Sequence, residues 1–186
     1  MNNTGTHGHE RRYGSAAERL RAPTRLALLE IPRVVSLCTE GINTARVLDV
    51  GTGTGVFAEA FAQNGCEVTG IDPNADLLAV ARRHVAGAFV AGTAEKLPFE
   101  DRSFDLVMMG HVLHETDDRA AALREARRVA RHRVAILEWP FVEEEKGPPL
   151  AHRLRETEIR SLAHEAGFAA IDRTILSHMH LYRLAP

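Results

Sequence analysis

The run Val47-Leu-Asp-Val-Gly-Thr-Gly-Thr-Gly55 constrains the fold more than any other part of the chain. A short apolar segment at 46–50 passes straight into three alternating glycines, and a helical pattern follows at once. Glycines at 51, 53 and 55 let the backbone turn sharply and keep side chains out of a ligand's way. A second apolar run, 67–71, is followed by Asp72. A strand, a glycine turn, a helix and an acid closing the next strand make up a nucleotide-cofactor site at the carboxyl ends of two parallel strands. Asp72 can accept two hydrogen bonds from a ribose diol.

Spacing and charge then select among cofactors. A dinucleotide fingerprint reads G-x-G-x-x-G, with the diphosphate on the helix N-terminus. Here the pattern is G-x-G-x-G, and Val56 stands where the third glycine belongs. Asp49, just ahead of the turn, would repel a diphosphate and attract an ammonium. S-adenosylmethionine carries an ammonium, a sulfonium and no phosphate, so the electrostatics favour it over NAD.

The 186 residues suffice for one domain with a real core and not for two large ones. A net charge of −2 gives no bulk attraction to nucleic acid or acidic membranes. No apolar run approaches the ~20 residues of a membrane helix, and the polar start of the chain does not read as a secretory signal. Cys38 and Cys66 lack CxxC partners and read as reduced thiols, so a cytoplasmic location is expected.

Along the chain, residues 1–10 read as disordered, and 11–40 as short helices with Pro23 and Pro32 in first turns and a stop at Gly41. Residues 1–45 are thus expected to be a tail and helical cap over the cofactor mouth, with 46–186 as the main domain. There, strands are expected at 46–50, 67–71, 88–91, 104–109 and 133–138. Helices are expected at about 55–63, from Asn74 to about His84, from a Thr116-Asp117-Asp118 cap to about Ala130, and at about 156–166. Alternating units of this kind imply a parallel sheet with helices on both faces. The last apolar runs, 168–175 and 178–184, are joined by a link too short for a crossover, so the last strand should run antiparallel. The expected fold is a doubly wound, Rossmann-like α/β/α sandwich with a mostly parallel sheet.

The chain resembles the class I S-adenosylmethionine-dependent methyltransferases in VLDVGTGTG (47–55), GIDPN (70–74), GTAEKLPFEDRSFDLV (92–107) and HVLHE (111–115), in that order. It is most similar to small enzymes of the ubiquinone and menaquinone type. The resemblance implies that Asp49 and the turn Gly51, Thr52, Gly53 and Gly55 hold the methionine end of the cofactor. It implies that Asp72 binds the ribose and Pro73 lies beside the adenine. Thr93, Ala94 and Glu95 would lie near the adenine's polar edge, Thr93 replacing a frequent aspartate. Gly110 and His111 would face the methionine portion and the methyl group. Arg131-His132-Arg133 replaces a longer turn in many relatives and should tighten the start of the fifth strand away from the site.

Methyl transfer needs chiefly a positioned nucleophile and excluded water, with a base only for a protonated nucleophile. His111 and His114, able to share a helical face, are the candidate bases. The alternative is that His111 lines the cofactor and His114 packs against the sheet end. A metal site is not expected, because H-x-x-H-E lacks a third ligand. Trp139 reads equally as a substrate wall or a core aromatic, and Tyr13 as a lid or a surface residue. His178 and His180 read as a solvent-facing pair on one strand, and His7 and His9 as tail. The arginines of 119–133 read as a solvated face with Glu125 as partner. The expected partner is a small-molecule methyl acceptor in a pocket of the N-terminal helices and the loop 140–150, with no nucleic acid. Two alternatives stand beside this reading: an NAD(P)-dependent oxidoreductase and a cofactor-binding protein without catalysis.

Overall fold

Residues 16–186 are described by the structure, a computed structural model. The expectations for Tyr13, His7 and His9 lie outside those residues. The apolar runs pair as seven strands: β1 (Arg46–Val50), β2 (Glu67–Asp72), β3 (Ala88–Ala91), β4 (Phe104–Gly110), β5 (Ala130–Glu138), β6 (Ala170–Ile175) and β7 (His180–Ala185). They form one sheet in the order β3-β2-β1-β4-β5-β7-β6. The first five strands run parallel. β7 enters antiparallel to both β5 and β6, as the short link before it requires. β4 is buried along nearly its whole length, the mark of a central strand covered on both faces.

Alternate residues of each strand feed two cores. Leu48, Val50, Val107, Met109 and Ile136 pack on one face with Leu123 and Ala126 of α6 (Arg119–Val129) and Ile159 of α7 (Glu156–Glu165). Val47, Val68, Leu106, Met108 and Leu137 pack on the other. There they meet Val34 and Cys38 of α3 (Ile31–Thr39), Phe57 and Phe61 of α4 (Val56–Gln63) and Leu78 of α5 (Ala75–His84). The result is the expected α/β/α sandwich. Side-chain caps start two of the helices: Asn74 Oδ1 accepts the N–H groups of Asp76 and Leu77, and Asp118 Oδ1 that of Ala121.

Two expectations are corrected here. α6 passes into β5 with no residue between Val129 and Ala130, whereas the sequence suggested a strand from 133. Between Phe104 and Leu106 the register with β4 shifts, because β5 carries one residue more than its partner. Arg131 pairs there with the buried Asp105, whose other oxygen accepts the N–H groups of Ala45 and Arg46 at the start of β1. The second correction concerns His178, which lies in the turn before β7, while only His180 is on the strand. They therefore do not form a pair on one strand face.

Before β1 lie α1 (Ala16–Leu20), α2 (Pro23–Leu28) and α3, the last two with proline in the first turn. α3 is fastened to the sheet. At its C-terminal end Arg133 Nη1 donates to the carbonyls of Cys38 and Glu40 at 2.7 and 2.8 Å. Arg183 Nη1 reaches Leu37 O and the Glu40 carboxylate. These cations sit where helix carbonyls lack intrahelical partners. Residues 131–133 thus stay clear of the cleft described next, and Arg133 acts on the N-terminal helices.

Candidate cofactor and acceptor site

Neighbouring strands connect in opposite directions on either side of the β1/β4 boundary, and open α/β sheets bind ligands in the crevice at such a switch point. A cleft of about 980 Å³ opens there. Its floor is the turn after β1. Gly51 has φ +63°, and a Cβ on it would stand 2.2 Å from Val112 Cγ2. Both the backbone conformation and the close approach require glycine. Gly55 does something else. It is absent from the cleft lining, and with φ +78° its Cα faces Ala81, letting α4 pack closely on α5. Gly55 thus lies outside the cleft lining, apart from the other residues the resemblance places against the cofactor.

Asp49 is 2% exposed and lines the cleft. Its Oδ2 accepts the Thr52 hydroxyl at 2.7 Å and the Ala58 N–H at 3.2 Å. Burial pushes its carboxyl up to about 7, the two hydrogen bonds pull it down, and the charge of Asp72 pushes the same way as burial. A cation placed against this carboxylate would favour its ionised form. Thr52 lines the cleft, but its hydroxyl is committed to Asp49, which it orients. Asp72, 7% exposed, accepts the N–H of Gly53 at 2.9 Å and that of Asn74 at 2.8 Å. It thereby links the end of β2 to the glycine turn. An adenosyl amino acid fits these residues: a turn without side chains, one carboxylate for an ammonium and one for a sugar. Asp72→Ala should weaken S-adenosylhomocysteine binding by about 1–3 kcal/mol, measured by calorimetry; unchanged affinity would show Asp72 to be misassigned.

Pro73, Thr93, Ala94 and Glu95 line the same cleft beyond Asp72. Pro73 and Thr93 are exposed, Ala94 is buried, and Glu95 Oε1 accepts the N–H of Asp117 across the rim. Gly110, at the end of β4, lies against Phe57; a Cβ there would stand 2.8 Å from the ring. The structure therefore brings the sequence-derived residues together, Gly55 excepted.

His111 and His114 do not share a helical face, contrary to expectation. His111 has φ +60°, and its N–H donates to Leu137 O at 2.9 Å. His114 sits in a short 3₁₀ turn, Leu113–Glu115. Both ring nitrogens of His111 are buried without a hydrogen-bond partner, and the ring tilts against Trp139 at 5.6 Å between centroids. Burial drives its pKa down to about 3, with the charges of Arg25 and His114 acting the same way, so the imidazole is neutral. The Nδ1 of His114 is 2.7 Å from Oε2 of the buried Glu138, and its backbone N–H donates to Glu138 Oε1 at 3.2 Å. Burial lowers the His114 pKa, but the hydrogen bond and charge of Glu138, with the charge of Glu115, outweigh burial and Arg119 and raise it. Sequence reasoning missed this pairing.

Trp139 is half-buried and lines the cleft, so it forms a wall there while also packing against one core. Gly147 lies on its indole face, with φ +88° and room for no Cβ: one would stand 2.7 Å from Cδ2. Arg153, 4% exposed, organises this loop. Its guanidinium donates to the carbonyls of Pro140, Val142, Lys146 and Pro148 and stands 5.3 Å from the Trp139 ring centroid. At the opposite rim Arg21 donates to Thr54 O and pairs with Glu59, and Leu20, Arg25 and Leu29 line the mouth. Arg25 and Arg153 were missed; the only sequence signal for Arg25 was its place in the segment expected to cover the cofactor. Among the described residues no three His, Cys, Asp or Glu side chains gather as metal ligands. No helix among them is long and apolar enough to cross a membrane.

Residues 48–137 match the family described as a methyltransferase domain. A demethylmenaquinone methyltransferase of Thermotoga maritima is 40% identical over 111 residues, 57% of this chain and 48% of that protein. A ubiquinone biosynthesis O-methyltransferase of Alkalilimnicola ehrlichii is 38% identical over 103 residues, 52% of this chain and 42% of that one. The chain spans about half the length of the curated relatives it matches. Among solved structures, an S-adenosylmethionine-dependent methyltransferase from Aquifex aeolicus superposes with a TM-score of 0.78 at 25% identity, over 91% of this chain and 96% of that one. Nothing in these likenesses favours an oxidoreductase. Residues 48–137, just under half of the chain, thus resemble a methyltransferase domain, the fold is the one found in S-adenosylmethionine-dependent methyltransferases, and the cleft fits S-adenosylmethionine as the cofactor.

Proposed function

We propose that the chain transfers a methyl group from S-adenosylmethionine to an oxygen or nitrogen of a small, ring-bearing acceptor. The observation that carries this reading is the meeting, in one cleft, of the glycine turn, two buried acids at adjacent strand ends, and a histidine paired with a buried glutamate. The cofactor supplies a methyl group already activated on a sulfonium, so the protein's task is placement and exclusion of water. Asp49 pairs with the ammonium, and Asp72 holds the ribose hydroxyls. Pro73, Thr93, Ala94 and Glu95 surround the adenine, while Gly110 and His111 border the methionine portion. Trp139 and the loop against it wall off the acceptor. A planar acceptor suits the indole wall, and the quinone pathways in the relatives' names agree with a ring.

His114 is the base in this proposal. Glu138 accepts the Nδ1 proton, which fixes the tautomer and leaves Nε2 free to take the proton of an acceptor hydroxyl or amine. A base must be neutral to work, so the rate should rise with pH through the raised pKa of His114. Glu138→Gln removes a carboxylate that raises that pKa. The pH–kcat profile should then shift to lower pH, and kcat should fall by about tenfold to hundredfold, with binding of S-adenosylhomocysteine unchanged. An unshifted profile would remove His114 from the chemistry.

The overall reading is tested by thermal shift and turnover. S-adenosylhomocysteine should stabilise the protein and NAD should not. Mass spectrometry on a panel of phenols, quinols and amines should then detect a methylated product. Stabilisation by NAD would favour the oxidoreductase alternative, and cofactor binding with no turnover on any acceptor the non-catalytic one.

A further inference from the structure

We propose that the acceptor is a cation: a ring-bearing amine that enters as its ammonium, drawn by carboxylates on the rim that carries His114. The proposal rests on the methyltransferase reading and adds to it the charge of the substrate.

The cleft lining carries five carboxylates, Asp49, Asp72, Glu95, Glu115 and Asp117, against two guanidiniums, Arg19 and Arg25. The ammonium and carboxylate of the cofactor's tail cancel each other, and its sulfonium adds one positive charge. With the cofactor in place, the balance of the lining therefore stays negative by two charges, and by three once the sulfonium has become the thioether of S-adenosylhomocysteine. The cations behind the lining do not alter this. Arg21 pairs with Glu59, Arg119 with Glu158 and Arg153 with Glu144. Glu138, behind His114, adds to the excess whenever that imidazole is neutral, the form that acts as a base.

The excess has a side. Arg19 and Arg25 belong to α1 and α2. Glu115 closes the 3₁₀ turn that holds His114, and its negative charge acts on both His114 and Arg25. Asp117 follows two residues later, and its N–H ties it to Glu95. Acids thus gather beside His114, where the cleft walls focus their field on an entering solute. A second observation points to a donor on the ligand. His111 borders the same cleft with both ring nitrogens buried and without a hydrogen-bond partner. Its imidazole is neutral, so one nitrogen keeps a lone pair, which an ammonium N–H can fill and a carboxylate cannot.

Calorimetry on the protein loaded with S-adenosylhomocysteine reads this preference. Three probes share a phenol ring and differ at the end of the side chain: tyramine carries an ammonium, 4-ethylphenol no charge, and 4-hydroxyphenylacetate a carboxylate. Tyramine should bind about tenfold more tightly than 4-ethylphenol, and the acid more weakly than either. The preference should shrink as salt is raised. Asp117→Asn and Glu115→Gln should each lower the ratio of tyramine to 4-ethylphenol affinity, and together bring it near unity. Both side chains are exposed, so the variants should fold, and a ratio taken within one protein does not depend on how much of it is folded. Equal affinity for the three probes, preference for the acid, or binding of none of them would overturn the proposal. So would a tyramine preference that survives the double variant. Failure of the wild-type protein to bind S-adenosylhomocysteine would instead sink the methyltransferase reading itself.

Discussion

Asparagine at position 49 should weaken S-adenosylhomocysteine binding by about 3–5 kcal/mol, the cost of removing one partner from a buried ion pair. The same variant tests a pH effect. Burial holds the Asp49 carboxyl at about 7 in the free protein, against the hydrogen bonds of Thr52 and Ala58 and with the help of Asp72. The ammonium of the ligand pairs with the ionised form. Below about pH 7 a proton must leave before the pair forms, so affinity should fall as pH drops, approaching tenfold per pH unit. Calorimetry in two buffers of different ionisation enthalpy should show proton release on binding in that range. Asp49→Asn has no such proton, so its weak binding should be flat across it. A wild-type affinity independent of pH between 5 and 7, or an asparagine variant that binds normally, would mean the ammonium sits elsewhere.

Methionine at position 153 should cost about 3 kcal/mol of stability and release the loop 140–150. Arg153 is nearly inaccessible, and four backbone carbonyls accept from it. Without it those carbonyls must find water, and the loop must open to let water in. For a chain of this length the melting temperature should drop by roughly 6–12 °C. Kinetics separate this role from general destabilisation. Gly147 and Pro148 line the cleft, and on the proposed function their loop walls the acceptor, so KM for the acceptor should rise while S-adenosylhomocysteine affinity stays within about twofold. Arg153→Lys should recover little, because an ammonium cannot reach four carbonyls at once. An unchanged acceptor KM would show that the loop does not shape the pocket.

The residues that proved hard to read share a physical cause. β1, β2 and β4 were legible because their apolar runs are continuous and stop at glycine or acid, and Asp49, Gly51 and Asp72 follow from where they stop. The loop after β3 was placed against the cleft by resemblance. The pair of His114 with Glu138 joins two strand ends 24 residues apart, and its register depends on the extra residue in β5 opposite Phe104 and Leu106. Nothing local in Arg131-His132-Arg133 marks that bulge. Arg153 spends its guanidinium mostly on backbone carbonyls, which no side-chain pattern announces. The αL conformation of His111 separates it from His114, and a non-glycine positive φ carries no sequence mark.

The attachment of α3 has a consequence for how ligand gets in. Two arginines from β5 and β7 rivet its C-terminal end, while α2 contributes no buried side chain and joins α3 through the left-handed Glu30. The roof over the crevice is thus held on both sides of Glu30, by these arginines behind it and by the buried Leu29 and the Arg21 contacts ahead of it. If the forward stretch lifts to admit cofactor, those are the contacts it must break and remake with each exchange.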